Sequence, residues 1–410
     1  METLKELFSL GLLYPSDFLK EGSRPRCEPV ELKLMLDGCN TTRLETTAPN
    51  HALWGQYWYR SGINTTMRLA LQDIAQSISK VFNLKDGGIW IDIACNDGTL
   101  LSFVPSTMIP VGIDPADDTF KKEAEKHAAI YIQDYFSAEA IKKAHPYYAR
   151  RKAKVITAIA MFYDVPNPDT FLSDIDEILD DNGIFVMQLS YTPLMLTQMA
   201  FDNIVHEHLY YYSFFNIKKL LEKRGFQIMD CQLNDVNAGS FRLYIMKMKA
   251  DIRNFATQAY RDVCNLRVNS LLEYEKNMCL DDKKTWTDFY DRINKLKEDV
   301  VNFIKDEKAN GKTIYAYAAS TKGNTLLQYF GLDNTLIDAV ADRNYTKWGL
   351  KTVGTNIPIV SEDEMRKANP DYLLILAWHF VAEFKEREKE YLDNGGKFII
   401  PCPKFEIIGK

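Results

Sequence analysis

The 410-residue sequence contains no CxxC pair: its seven cysteines stand apart at 27, 39, 95, 231, 264, 279 and 402. An odd, dispersed set fits free thiols in a reducing compartment rather than a disulfide framework, and the expected location is the cytoplasm. Apolar runs of about 18 residues, the length that spans a bilayer, are absent. The first 22 residues carry acidic side chains among apolar ones and lack a basic leader or a small-residue cleavage site. Blocks of Lys or Arg are missing too, and 50 basic against 56 acidic residues leave a net charge of −6. Such a chain is a poor ligand for nucleic acid or an anionic membrane, which leaves a small molecule as the expected partner. Charge and composition fit a monomer or a homodimer equally.

With 46% apolar and 26% charged residues, the chain has the balance of an ordinary globular protein, long enough for two or three domains. Residues 1–75 show no regular period apart from Val30–Asp37, which alternates like a strand, and they read as a small irregular N-terminal domain or arm. Apolar residues at helical spacing from Met67 to Phe82 end at Asp86-Gly-Gly88. Strand and helix patterns then alternate, with strands expected at 89–93, 111–114, 129–132, 155–159 and 184–188. That order implies a parallel sheet covered by helices on both faces. Residues 251–310 are charged and helix-forming, a helical connector. A second α/β unit occupies 311–410, with strands expected near 313–318, 337–341, 372–377 and 397–400 and a capping box at Ser361–Glu364. The expected architecture is thus α/β, with boundaries at 1–75, 76–250, 251–310 and 311–410.

Asp92-Ile-Ala-Cys-Asn-Asp-Gly98 falls at the first strand-to-helix turn of the first sheet, where doubly wound folds bind ligands. Asp114 ends the second strand 22 residues later, placed to bind both hydroxyls of a ribose, and Asp134 follows the third. A dinucleotide site needs G-x-G-x-x-G here so that a pyrophosphate can approach bare backbone. This turn keeps only Gly98, and Asp92, Asp97 and Asp114 beside it would repel a pyrophosphate and favour a sulfonium. The ordered set resembles the class I S-adenosylmethionine-dependent methyltransferases. The resemblance implies S-adenosylmethionine as cofactor, held by Asp92, Ala94, Asn96, Gly98, Asp114, Asp134 and Tyr135.

Four further stretches narrow the likeness: Tyr57–Met67, Asp202-Asn-Ile-Val-His-Glu-His-Leu-Tyr-Tyr-Tyr-Ser213, Asn237-Ala-Gly-Ser-Phe-Arg242 and Ala318-Ala-Ser-Thr-Lys-Gly-Asn-Thr-Leu-Leu327. In this order they resemble the three-domain sugar C-methyltransferases. That family methylates carbon 3 of nucleotide-linked 4-keto-deoxysugars in antibiotic and surface-polysaccharide pathways. The resemblance implies a Rossmann-like methyltransferase domain, a Rossmann-like C-terminal domain that helps hold the nucleotide sugar, and a small N-terminal domain over the active site. The sequence departs from the family in two places. The family's four-cysteine zinc site is reduced to Cys39, so no metal is expected, and Val205 stands where tyrosine precedes His-Glu-His.

Methylation of a carbon beside a ketone needs a base for the carbon acid and donors for the enolate oxygen. By resemblance His208 is the base and Glu207 its orienting or substrate-binding neighbour. Tyr59 is favoured over Tyr57, Tyr210 and Tyr211 as the proton donor that Val205 cannot be. His206-Glu-His208 lacks the i, i+4 spacing of a zinc-binding HExxH. Ser320, Lys322, Asn324, Lys347 and His379 cluster after strands of the last sheet and form an expected phosphate cradle. Tyr57, Gln188, Tyr191, His206, Asn237, Ser240 and Arg242 complete the expected substrate contacts. Three rival functions stay open: O- or N-methylation of a related sugar, a nicotinamide oxidoreductase, and a non-catalytic nucleotide-sugar binder.

Overall fold

A computed structural model describes residues 4–54, 58–84, 86–144 and 151–409. They form two compact units, one from the described residues of Gln56–Tyr191 and Tyr211–Met278, the other from those of Met1–Gly55, Thr192–Tyr210 and Cys279–Lys410. Among these residues no helix is long and apolar enough to cross a membrane.

The first unit is built on seven strands: β1 (Gly88–Ile93), β2 (Met108–Ile113), β3 (Ile130–Ile132), β4 (Ala153–Ile159), β5 (Leu179–Ser190), β6 (Phe226–Asn234) and β7 (Ser240–Lys247). Their order across the sheet is β6-β7-β5-β4-β1-β2-β3. The first five run parallel, and β7 runs antiparallel to both β5 and β6. The central strands are apolar on both faces because helices cover both, the condition for burying a parallel sheet. The helix Thr65–Val81 shows this best: Leu71, Ile74 and Ile78 recur at helical spacing and pack with Trp90, Val155 and Val186 in one core. The parallel strands lie where the sequence indicates. The β6–β7 pair was not anticipated: β7 is buried throughout and β6 is mostly half-buried, so neither shows the alternation that marks a strand.

The second unit carries β8 (Ile314–Tyr317), β9 (Ala339–Asp342), β10 (Ile359–Ser361), β11 (Tyr372–Ile375), β12 (Lys397–Ile400) and β13 (Glu406–Ile408), in the order β10-β9-β8-β11-β12-β13. Five strands are parallel and β13 is antiparallel. This doubly wound order reverses direction at β8, and the crevice beyond the strand ends at such a reversal is where ligands bind. Ser361 and Glu364 form the expected capping box.

The boundaries differ from the sequence reading. Residues 1–55 are not irregular: Lys5–Leu13, Val30–Leu36 and Thr42–Leu44 pair as an antiparallel sheet. Register shifts at Glu6/Phe8 and Ser9/Leu12 break the two-residue period of the first strand, which hides it in the sequence. This sheet belongs with the C-terminal region. Phe8 stacks on Tyr290 and packs on Trp286 and Phe289 of the helix Lys283–Ala309. Asn324 donates to Ser16 Oγ and the Asp17 carbonyl, and Phe18–Leu19 pairs with Lys351–Thr352. The expected connector divides as well: Gln258–Met278 joins the first unit through a bidentate Arg267–Asp230 pair (2.9 and 2.6 Å). Where a zinc knuckle was expected to have degenerated, Asp37 Oδ1 closes the turn by accepting the N–H groups of Cys39 and Thr41, both at 2.8 Å.

Candidate active site

One candidate group of residues is the turn after β1. Ala94, Asn96 and Gly98 all hold positive φ (55°, 55° and 76°), which curls the backbone into an open loop. Gly98 is required twice over, since a Cβ there would also lie 2.7 Å from Ala124 Cα. Asp114, at the end of β2, accepts the Asn96 N–H on Oδ2 and the Ala116 N–H on Oδ1, both at 2.8 Å. Asn96 in turn bonds the Tyr59 carbonyl and the Ser61 N–H at 3.0 Å each, and Asp97 accepts the Gly62 N–H at 2.7 Å. Asp92 lies beneath the loop, 3% exposed, with Thr157 Oγ1 donating to it at 2.6 Å. Burial raises its pKa to about 7, against the Thr157 hydrogen bond and with help from Asp114. Asp114 is raised in the same way by burial. Asp134 and Tyr135 follow β3 and are both exposed, Asp134 accepting the Tyr135 N–H.

A separate group of buried polar residues lies in the other unit. His206 is 2% exposed; its Nε2–H donates to the Val30 carbonyl at 2.9 Å while its own carbonyl accepts from Thr47. These bonds pin the His-Glu-His stretch to the N-terminal sheet, so His206 acts as an anchor. His208 donates Nδ1–H to the Asn203 carbonyl at 2.8 Å, which places its lone pair on Nε2. Burial, then the charge of Lys322, lowers its pKa to about 3 and keeps the ring neutral. Burial raises Glu207 to about 7, and Glu207 Oε2 is shut away from water with no hydrogen-bond partner. Asp202, 1% exposed, accepts the Trp378 indole N–H on Oδ2 at 3.0 Å, and its Oδ1 has no hydrogen-bond partner. The Asn203 amide and His379 Nδ1 are in the same position. Each such orphan costs about 1–3 kcal/mol. Their concentration at one place marks a site completed by something besides these side chains.

Two family models match the chain: a methyltransferase domain over residues 64–230 and a C-methyltransferase C-terminal domain over residues 235–403. The C-methyltransferase NovU of Streptomyces niveus is 27% identical over 357 residues, which cover 87% of this chain and 82% of that protein. The chain is an S-adenosylmethionine-dependent methyltransferase, similar over most of its length to a C-methyltransferase. Solved structures with a similar fold include an S-adenosylmethionine-dependent methyltransferase from Clostridium acetobutylicum (13% identity, TM-score 0.34, covering 45% of this chain and 93% of that one). Another is the magnesium protoporphyrin IX methyltransferase of Synechocystis with bound S-adenosylmethionine (11%, 0.33, 46% and 86%).

The curled backbone at Ala94–Gly98 and the Asp92, Asp97 and Asp114 carboxyl groups thus come together at the turn after β1. Tyr59 lies beside this loop, joined to it through its carbonyl, and its residue surface is 42% exposed. Desolvation of its hydroxyl and the Asp97 charge push its pKa up. Tyr59 and the Glu207–His208 pair are thus in different units.

Several residues expected to touch substrate are occupied inside the protein. Gln188 Oε1 accepts from Asn234 and from Arg242 Nε, while Arg242 also pairs with Asp73 at 2.9 Å. Tyr191 donates to Glu275 at 2.7 Å, and Ser240 donates to the Val236 carbonyl. Asn237 takes the left-handed conformation in the β6–β7 turn. In the cradle, Ser320 caps its helix through the Gly323 N–H, and Asn324 is committed to Ser16 and Asp17. Lys347 is buried, donating to the Ala319 carbonyl at 2.7 Å and sitting 3.5 Å from Asp342. Of that group, Lys322 carries a charge that acts on both His208 and His379. Tyr57 falls outside the described residues. The sequence reading gave no role to Asp202, Asn203, Thr157 and Trp378. Asp202 and Asn203 open the very stretch that carries His-Glu-His, and only their burial beside an apolar pair distinguishes them.

Proposed function

We propose that this methyltransferase acts on a nucleotide-linked keto-deoxysugar, methylating the carbon next to the ketone, carbon 3 of a 4-keto sugar. The observation that carries the reading is His208: a neutral imidazole, oriented by the Asn203 carbonyl, with its lone pair on Nε2 and the desolvated Glu207 carboxyl next in sequence. A carbon acid needs an oriented neutral base. Glu207, titrating near 7, is suited to bond a sugar hydroxyl or to relay the proton. S-adenosylmethionine supplies the electrophilic methyl group. The acid-rich turn around Asp92 and Asp114 orients it, and Tyr59 helps close that turn.

The test is incubation with a thymidine-diphosphate 4-keto-6-deoxyhexose in deuterated buffer. Exchange of the carbon-3 proton with S-adenosylhomocysteine present, and a new carbon–methyl bond with S-adenosylmethionine, are the expected results. His208→Asn should abolish both. Methyl transfer to oxygen or nitrogen without carbon-3 exchange would refute the reading.

A further inference from the structure

The segment Trp58–Thr66 contains no buried residue, so its attachment to the rest of the unit is chiefly polar. On one side the Asn96 carboxamide takes the Tyr59 carbonyl and the Ser61 N–H, both at 3.0 Å, and the Gly62 N–H donates to Asp97 Oδ2 at 2.7 Å. On the other side Arg60 reaches the helix Asp118–Ala124. Its Nη1 donates to Glu123 Oε2 and its Nη2 to Thr119 Oγ1, both at 2.6 Å, while Cζ lies 4.0 Å from the centre of the Phe120 ring. A planar guanidinium can satisfy a carboxylate, a hydroxyl and a ring face at once, which a lysine ammonium cannot.

These two anchor points stand at the ends of successive strands. Asn96 and Asp97 belong to the turn after β1, and the helix Asp118–Ala124 follows Asp114 beyond β2. Asp114 links the two, accepting the Asn96 N–H on Oδ2 and the Ala116 N–H on Oδ1. The segment therefore runs from one strand end to the next, across the ground where a doubly wound sheet binds its ligand. Gly62 shows how close the approach is: a Cβ there would lie 2.9 Å from Thr99 Oγ1 and 3.0 Å from Asp97 Oδ2. Asp97 is divided between the two parts, Oδ1 holding Thr99 of its own turn and Oδ2 holding Gly62. A segment held by a few hydrogen bonds and one charge pair opens at much lower cost than a packed core.

We propose that Tyr59–Gly62 is a strap over the methyl donor and that Arg60 is its latch, a positioning residue for the methyl-transfer reaction. The proposal rests on the donor binding at the turn after β1, as inferred above. Closed, the strap holds that turn and the helix after β2 in one arrangement around the donor. Breaking the Arg60 contacts opens the strap to admit the donor and to release S-adenosylhomocysteine, a step that lids of this kind control in many enzymes.

Two measurements on the full chain test this: stopped-flow dissociation of S-adenosylhomocysteine, and tryptic cleavage of the Arg60–Ser61 bond followed by mass spectrometry. Trypsin must take the Arg60 side chain into its own acidic pocket, so cleavage reports an open latch. Arg60→Met should raise the dissociation rate about tenfold or more. Arg60→Lys, which can still meet Glu123 but not Thr119 as well, should recover part of the difference. In the wild type, saturating S-adenosylhomocysteine should slow the cleavage about tenfold, because proteolysis follows the open population. Gly62→Ala, which forces strap and turn apart, should speed it. If Arg60→Met does not fold, cleavage of the wild type and of Gly62→Ala carries the test. Dissociation from Arg60→Met within about twofold of the wild type would overturn the proposal, and a lowered melting temperature alongside it would mark a merely structural role. Wild-type cleavage indifferent to S-adenosylhomocysteine would overturn it too. In either case Asp114→Ala that no longer binds S-adenosylhomocysteine leaves the donor site standing without the strap. Normal S-adenosylhomocysteine binding by Asp114→Ala would overturn the donor site at this turn and the strap with it.

Discussion

Replacing Asp92 by asparagine should stabilise the unliganded protein, and do so more as pH rises. Asp92 is 3% exposed, and its pKa goes from an ordinary 3.8 to about 7, chiefly through desolvation. Between those values the folded state holds a proton that the unfolded chain has lost, so stability falls as pH rises and the loss is complete above about pH 7. The gap from 3.8 to about 7 is worth about 4 kcal/mol in all, of which about 2–3 kcal/mol falls between pH 5 and pH 8. Asparagine is nearly isosteric, never ionises, and its amide oxygen can still accept from Thr157 Oγ1. Differential scanning calorimetry of both proteins at pH 5 and pH 8 makes the comparison. In a unit of roughly 200 residues, 2–3 kcal/mol corresponds to about 5–10 °C of extra advantage for Asp92→Asn at the higher pH. A difference between the two proteins that is the same at both pH values would refute the argument, because it would mean that Asp92 titrates alike in the folded and unfolded chains.

Gly98→Ala forces a Cβ onto positive φ and to within 2.7 Å of Ala124 Cα; the left-handed conformation alone costs about 1–2 kcal/mol. S-adenosylhomocysteine affinity measured by calorimetry should fall about tenfold or more as the turn shifts. Lys347→Met leaves Asp342 buried without its cation and should lower unfolding stability by about 3 kcal/mol, with keto-sugar KM unchanged in steady-state assays. Tyr191→Phe removes the hydroxyl donor to buried Glu275, which keeps the Phe214 and Phe215 N–H groups. Denaturant titration should show a loss of about 1–2 kcal/mol, again without a change in KM.

The strand-to-helix turn after β1 was legible in the sequence because it is local. An apolar run, a small-residue turn and acids at successive strand ends lie in one βαβ stretch, and strand sterics place each of them. The same holds for the parallel strands, the helix Thr65–Val81 and the capping box at Ser361. The N-terminal strand was not legible, because its register shifts erase the alternation that marks a strand. Nor was the β6–β7 pair, which shows little alternation to read.

What only the tertiary structure decided is which polar groups are already taken. Gln188, Tyr191, Arg242, Asn324 and Lys347 carry the same chemistry as residues that bind ligands, and their spacing looks the same. Their partners at Asn234, Glu275, Asp73, Ser16 and Ala319 lie 46, 84, 169, 308 and 28 residues away, beyond the reach of any local pattern. Asp202 and Trp378 meet for the same reason, from loops far apart in the chain. A buried polar group must find a partner or pay for its absence, and the fold alone determines which groups find one. The sequence by itself determined the fold class and the course of the strand-to-helix turn after β1. The tertiary structure determined which polar residues are spent on holding the protein together.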